Sequence, residues 1–321
     1  MKFIKYSLLV LIFIFTSAFL WGKIYFICEP NLVNVSRIAD TVRIKQDLTY
    51  LTKDCKFRNY KNLSSLNNAA NYIKARFFES TLKVEEQKYT FQNVEFKNII
   101  CSFGPEKGER IIIGAHYDVC DEQEGADDNG SGVSGLLELS RLLKDVQLKY
   151  RIDLVAYSLE EPPFFKSEYM GSYIHAKTLF DNKIPVKGMI CLETIGYYTQ
   201  EENSQSYPAF FLKWFYGNKG NYITIVQKYG NGSFGNEVKR GMKKGQVIPT
   251  KSFTGPAWLP GVDFSDHLNY WKFGYSAVMI TNTAFYRNKN YHTANDTIET
   301  LNIGSIGLVL DELYRTITKI E

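Results

Sequence analysis

The chain has 321 residues, 45% of them hydrophobic and 15% aromatic, with a formal net charge of +4. This composition excludes a disordered chain, and the length suits one large domain or two small ones. The small net charge, with no basic run, excludes a reader of phosphate backbones, so no nucleic acid is expected as a partner.

The first stretch, "MKFIKYSLLVLIFIFTSAFLWGKIYFIC", runs uncharged from Tyr6 to Gly22, breaks at Lys23 and resumes as Ile24–Ile27. A bilayer span takes about 20 apolar residues and a signal-peptide core about 7–15, so this run falls between the two. Lys23 can snorkel to the interface and let Ile24–Ile27 complete the span. Only "TSA" at 16–18 offers a small-residue cleavage site. Residues 1–27 therefore read as a signal-anchor with a transmembrane span at about 6–27, a cleaved signal peptide being the alternative, and 28–321 as a single domain. Lys2 and Lys5 precede the span and place the rest outside the cytoplasm, or secreted if the segment is cleaved. The five cysteines form no CxxC pair, which argues against a zinc finger, and their odd count leaves at least one thiol free. Export would permit a disulfide, with no pairing specified.

From about Val35 the spacing predicts helices over 36–54 and 65–79, the second with Leu66, Ala69, Ala70, Ile73 and Phe77 at helical intervals. Near-continuously apolar runs at 98–103, 110–118, 152–161, 188–196 and 276–283 read as strands buried on both faces. Helices are expected between and after them over 131–146, 167–180 and 304–320. Strands alternating with helices predict an α/β fold, three layers α/β/α with a mostly parallel central sheet. In such folds chemistry gathers at the carboxyl ends of the strands.

That rule sorts the polar residues. His116 and Asp118 end 110–118, and Asp127 and Asp128 follow just before a helix. Glu160 and Glu161 end 152–161, Glu193 ends its apolar run, and His292 and Asp296 follow the last strand. Singly, each has a plain alternative: acids before a helix cap it, and paired glutamates often face solvent. Jointly they put several acids and two of the four histidines on one rim. Divalent metal relieves such a concentration of negative charge. Imidazole and carboxylate suit zinc, and two metals about 3.5–4 Å apart require a bridging carboxylate. One acid left beside them would serve as general base.

The ordered set "GAHYD", "GADDNGSG", "EE", "LET" and "HTANDT" resembles the zinc-dependent exopeptidase family of secreted bacterial leucyl-type aminopeptidases, glutamate carboxypeptidase and glutaminyl cyclase, over about 85–320. The resemblance implies His116, Glu161, Glu193 and His292 as ligands of two Zn2+ per chain and Asp128 as their bridge. It implies Glu160 as the general base, Asp118 as the group orienting His116, Asp296 as support for His292 or its loop, and a cis peptide after Asp128. Asp127 would cap or support. The implied activity is removal of N-terminal residues from a peptide substrate. A glutaminyl-cyclase-like acyltransferase with one zinc and a non-catalytic receptor-type member are the alternatives. Carboxypeptidase action stays open, although no arginine stands out near the motifs to take a free carboxylate. An aminopeptidase needs acids for the free amine, which Asp127 or the neighbourhood of Glu193 could offer. The sequence departs from the family at "GVDFSDH", where Val262 occupies about the place of an oxyanion-holding tyrosine; Tyr286, Tyr291 or metal would have to substitute. Pro162–Phe165 either wall the substrate pocket or pack on a neighbouring helix, Trp258 is a candidate for the pocket rim, His175 reads as a surface or core histidine, and His267 as structural. Oligomeric state is not fixed by the sequence.

Overall fold

A nine-stranded sheet runs through the computed structural model, which describes residues 16–17, 27–28, 38–245 and 247–320. The anchor expected over 1–27 lies almost wholly outside these residues, and no helix among them is long and apolar enough to cross a membrane. The strands are β1 (Ile27–Cys28), β2 (Val84–Phe91), β3 (Val94–Phe103), β4 (Arg110–His116), β5 (Arg151–Tyr157), β6 (Val186–Glu193), β7 (Ile223–Lys228), β8 (Thr250–Gly255) and β9 (Ala277–Thr281). Their order is β1-β8-β7-β9-β6-β4-β5-β3-β2. The centre, β9-β6-β4-β5, is parallel; β3 and the β7-β8 pair run the other way, and β1 and β2 return to the central direction. The sheet is therefore mostly parallel, with antiparallel pairings toward its edges.

The helices are α1 (Thr41–Thr49), α2 (Leu63–Phe78), α3 (Gly132–Leu143), α4 (Gly171–Asp181), α5 (Leu212–Tyr216), α6 (Phe234–Gly245), α7 (His267–Lys272) and α8 (Ile303–Ile317). Strand residues alternate between two cores. Ile111, Ile113, Ile190, Leu192, Val278 and Ile280 meet α1, α2, α3, α6 and α8 on one face. Ile112, Met189, Cys191, Ala277 and Met279 meet α4 and α7 on the other. Period-two alternation between two buried faces is why these runs are continuously apolar, and burying each large side chain stabilises by about 1.5–3 kcal/mol.

Three differences from the expected elements have local causes. The first helix starts at Thr41, because the Asp40 carboxylate accepts the Val42 and Arg43 N–H groups and caps it there. β2 carries Glu85, Glu86 and Lys88, alternates in burial and lies at the sheet edge, so it lacks the continuous apolar signal. β7 and β8 are six-residue strands with polar residues that enter the sheet through tertiary pairing, and α6 is a polar, glycine-containing helix that packs on it.

Candidate metal centre

His116 is the last residue of β4 and Glu193 the last of β6; Glu160 and Glu161 follow β5, and His292 lies in the loop after β9. Because these four strands are parallel, their carboxyl ends share one rim. The turn 126–131 ahead of α3 brings Asp128 onto it. The chain enters that turn at Gly125, with φ +57°, where an added Cβ would meet the Asp128 carbonyl at 2.4 Å.

The six side chains converge. His116 Nε2 lies 3.2 Å from Asp128 Oδ1, 3.4 Å from Glu193 Oε2 and 3.9 Å from Glu160 Oε2. His292 Nε2 lies 3.0 Å from Asp128 Oδ2 and 3.2 Å from Glu161 Oε2. Asp128 thus sits between the two imidazoles, one oxygen to each, and the Asp128–Asn129 peptide is cis. Donor atoms of His116, Asp128 and Glu193 fall within 4.8 Å of one another, as do those of His116, Glu160 and Glu161. All but His292 are buried.

Charge and solvation are out of balance here. Four carboxylates, Asp128, Glu160, Glu161 and Glu193, crowd two imidazoles, so acids outnumber bases in a buried space. Burial pushes Glu161 up to about 8, with Asp128 adding to the rise, and pushes Glu160 well above the ordinary carboxylate range. Burial would also raise Asp128, but hydrogen bonds to His116 and His292 outweigh it and hold this carboxyl low. Burial pulls His116 down, and the charges of Glu193 and Glu160 overcome that and lift it well above its usual value. Glu161 Oε1 is buried without a hydrogen-bond donor. An orphaned carboxylate oxygen in an acid-rich pocket that also holds two imidazoles fits divalent cations of the zinc type.

Behind this set the supporting groups differ in part from expectation. The Asp118 carboxylate accepts the backbone N–H groups of Glu160 (3.2 Å) and Glu161 (3.1 Å). The group within hydrogen-bond distance of His116 Nδ1 is the Asp118 carbonyl, at 3.1 Å; its carboxylate is 3.6 Å away. Asp118 therefore orients the imidazole through its main chain and the two glutamates through its side chain. Asp296 supports the other side of the site: its two oxygens accept the N–H groups of Asp127 (2.9 Å) and Asp128 (3.0 Å). Asp127 points away from the cleft and accepts from Asn282, Asn288 and Gly196, which corrects the idea that it could receive a substrate amine.

Sequence reasoning missed three contributors. Asn129 Oδ1 accepts from Gly132 and Thr194 while its amide donates to the Leu192 carbonyl, tying the turn to the end of β6. Ser265 donates to Glu193 Oε2 at 2.5 Å. Arg58 is fully buried and donates to the carbonyls of Leu51, Tyr117, Glu124 and Gly125. The Asn129 and Ser265 positions fall inside quoted motifs, whereas nothing local to Arg58 marks it.

A cleft, its mouth open to solvent, adjoins the centre. Glu193 and Tyr291 border it on the site side, and Tyr216, Phe253, Leu259, Phe264, Met279 and Phe285 line the rest. Tyr291 stacks on His292, with ring centroids 4.0 Å apart. Tyr286 donates instead to the Pro260 carbonyl. Within 162–165, Phe164 is buried against Tyr60, Phe91 and Phe96, the packing alternative, while Phe165 meets Phe264 at the cleft. Trp258 is 80% exposed, and its neighbours Leu259, Pro260 and Gly261 line the cleft instead. His267 is hydrogen-bonded to the Val262 carbonyl, structural as expected, and His175, hydrogen-bonded to the Tyr270 hydroxyl, is a core histidine rather than a surface one.

Comparison with known proteins places these features in context. Residues 98–317 match the model of Peptidase family M28. The Escherichia coli (strain K12) protein YfbL is 42% identical over 288 residues, which cover 87% of this chain and 88% of that one. Among solved structures, the LapA aminopeptidase of Legionella pneumophila has the same fold at 19% identity and TM-score 0.68, covering 88% of this chain and 73% of its own. The glutaminyl cyclase of Porphyromonas gingivalis also shares it, at 18% identity and TM-score 0.67, covering 88% of this chain and 99% of its own.

Proposed function

The chain belongs to peptidase family M28, and from that premise we propose that it is an aminopeptidase that binds two zinc ions and removes apolar N-terminal residues from peptides. The observation that carries this reading is the sharing of Asp128 between His116 and His292, with Glu193 beside the first imidazole and Glu161 beside the second. His116, Asp128 and Glu193 would hold one ion; His292, Asp128 and Glu161 would hold the other. When bound, such a pair supplies Lewis acidity to the scissile carbonyl and makes a water nucleophile available near neutral pH.

The chain's own groups do the rest. Glu160 is the carboxylate of the set farthest from an imidazole nitrogen, at 3.9 Å, and its N–H is fixed by Asp118. It takes the proton of the attacking water and returns it to the leaving nitrogen. Tyr291, held by its stack on His292 at the cleft border, offers a phenol toward the developing oxyanion in place of the tyrosine that Val262 replaces. The apolar cleft takes the side chain of the N-terminal residue, favouring Leu, Met or Phe. The apolar run at 6–27 supports attachment to a membrane, with the catalytic domain outside the cytoplasm.

A panel of aminoacyl-arylamides, assayed with and without chelator, tests the proposal. Chelator-sensitive release, greatest from Leu, Met or Phe, is expected. Absence of release from every residue with zinc restored would overturn it. So would ring closure of an N-terminal Gln peptide at one zinc per chain, which would favour the cyclase.

A further inference from the structure

Cys120 lies four residues beyond His116, in the loop after β4. It is partly exposed, whereas Cys55, Cys101 and Cys191 are buried in the fold. Its loop is pinned on both sides: Val119 N–H donates to the Arg58 carbonyl at 3.1 Å, and Asn59 Nδ2 donates to the Asp121 carbonyl at 2.6 Å. The thiol so placed is beside the metal centre. Its sulfur, a carboxylate oxygen of Glu161 and a ring nitrogen of His292 all lie within 4.8 Å of one another. Glu161 Oε1, on a side chain 3% exposed, has no hydrogen-bond donor, an independent sign that this carboxylate suits a cation. Zinc lies about 2.0–2.3 Å from nitrogen, oxygen and sulfur donors, so one ion can span donors separated by up to about twice that distance.

We infer that Cys120 is a ligand, as thiolate, of the cation on the His292 side of the site. The inference rests on the two-cation reading above and deepens it. His292, Asp128, Glu161 and Cys120 make four donors, the number of a closed tetrahedral site. His116, Asp128 and Glu193 make three and leave a position open. Cys191, two residues before Glu193 on β6, has its sulfur 3.1 Å from the Ser265 hydroxyl, and among the described residues the donor groups around His116 contain no cysteine. The two positions are therefore chemically unequal. The sulfur-bearing one retains soft metals more firmly, and the other presents the coordination position that a carbonyl or water can enter.

Cobalt(II) titration of the metal-free protein distinguishes the two levels of the argument. Visible ligand-field bands count bound cobalt, and a near-ultraviolet sulfur-to-cobalt charge-transfer band reports the thiolate. The expected result is two cobalt ions per chain with the charge-transfer band present. In Cys120→Ser and Cys120→Ala the band disappears and one of the two sites weakens by at least the factor of about 10–100 that loss of an outer-shell partner costs. Iodoacetamide, read by mass spectrometry on the wild-type protein, adds a measurement independent of any variant: cobalt should protect Cys120 from alkylation. Two bound ions with no such band, a band unchanged in both variants, or equal alkylation with and without cobalt would overturn the thiolate ligand and leave the two-cation reading standing. Failure to bind cobalt at all would overturn that reading, and this inference with it.

Discussion

Glu160 and Glu161 are adjacent, both buried, and both anchored through their N–H groups by Asp118, yet they face different partners. Glu161 reaches His292 at 3.2 Å, whereas Glu160 stands 3.9 Å from His116. On the proposed reading the difference separates a ligand from a base, so their amide variants should diverge. Glu160→Gln should bind zinc as the wild type does and lose about 10²–10⁴-fold in kcat, which metal analysis beside an arylamide assay would reveal. Glu161→Gln should lose metal first. A Glu160→Gln protein that loses zinc in parallel with activity would remove the base from this position. Asp118→Asn leaves a single acceptor oxygen for two N–H groups, and a drop of about 10–100-fold in activity or metal affinity is expected. The candidate ligands were legible in the sequence because imidazoles and acids are scarce at the ends of apolar strands. The orientation of their supports was not. Asp118 reads as the partner of His116 and Asp296 as support for His292 or its loop, and only the folded chain shows that their carboxylates hold main-chain N–H groups.

At the scale of elements, strands β4, β5, β6 and β9 were readable because each is apolar on both faces, and helices α2, α3 and α8 because their apolar positions recur at helical spacing. The edge strand β2 escaped because partial exposure permits polar residues there, and the β7-β8 pair because its six-residue strands intersperse Thr, Gln, Lys and Ser with apolar residues. What holds these elements to the rim is also non-local. Arg58 joins the turn after α1, the end of β4 and the entry to the Asp128 turn through four carbonyls far apart in sequence. Burial lowers its guanidinium pKa, with the charges of nearby acids opposing. Arg58→Met keeps the stem and removes every donor. Each buried acceptor left unsatisfied costs about 1–3 kcal/mol, and Gly125 alone retains a backbone donor from Gly130, so a loss of at least about 3 kcal/mol is expected in urea unfolding. Arg58→Lys should recover part of it. A loss under about 1 kcal/mol would mean that the loops hold their positions without this residue.

At the scale of the molecule, the sheet separates chemistry from acid sensitivity. The rim collects acids and raised imidazoles, while the face covered by α4 and α7 buries His175 and His267 as neutral groups. Burial depresses each to about 4. His175 meets the Tyr270 hydroxyl and the Tyr157 ring, with Asp153 and Arg110 acting on it by charge in opposite directions. His267 donates from Nε2 to the Val262 carbonyl and packs on the Trp271 edge, while Asp263 favours its protonation. Its buried Nδ1 has no partner, so a proton there would gain no acceptor. A histidine whose folded pKa lies below its unfolded value near 6.5 leaves the unfolded chain binding more protons between pH 6.5 and about 4. The stability linked to these two rings is thus complete above about pH 6.5 and is lost as pH falls toward 4, by on the order of 3 kcal/mol for each ring. His116 and His292 are shifted upward and contribute in the opposite sense, so the comparison must be made between proteins that share an intact rim. Urea midpoints of the wild type and of His175→Gln/His267→Gln, followed from pH 7.5 to 4.5, make that comparison: the wild-type curve should fall more steeply through the acid range. Parallel curves would mean that neither ring is held neutral by the fold, and that its acid lability arises at the rim instead.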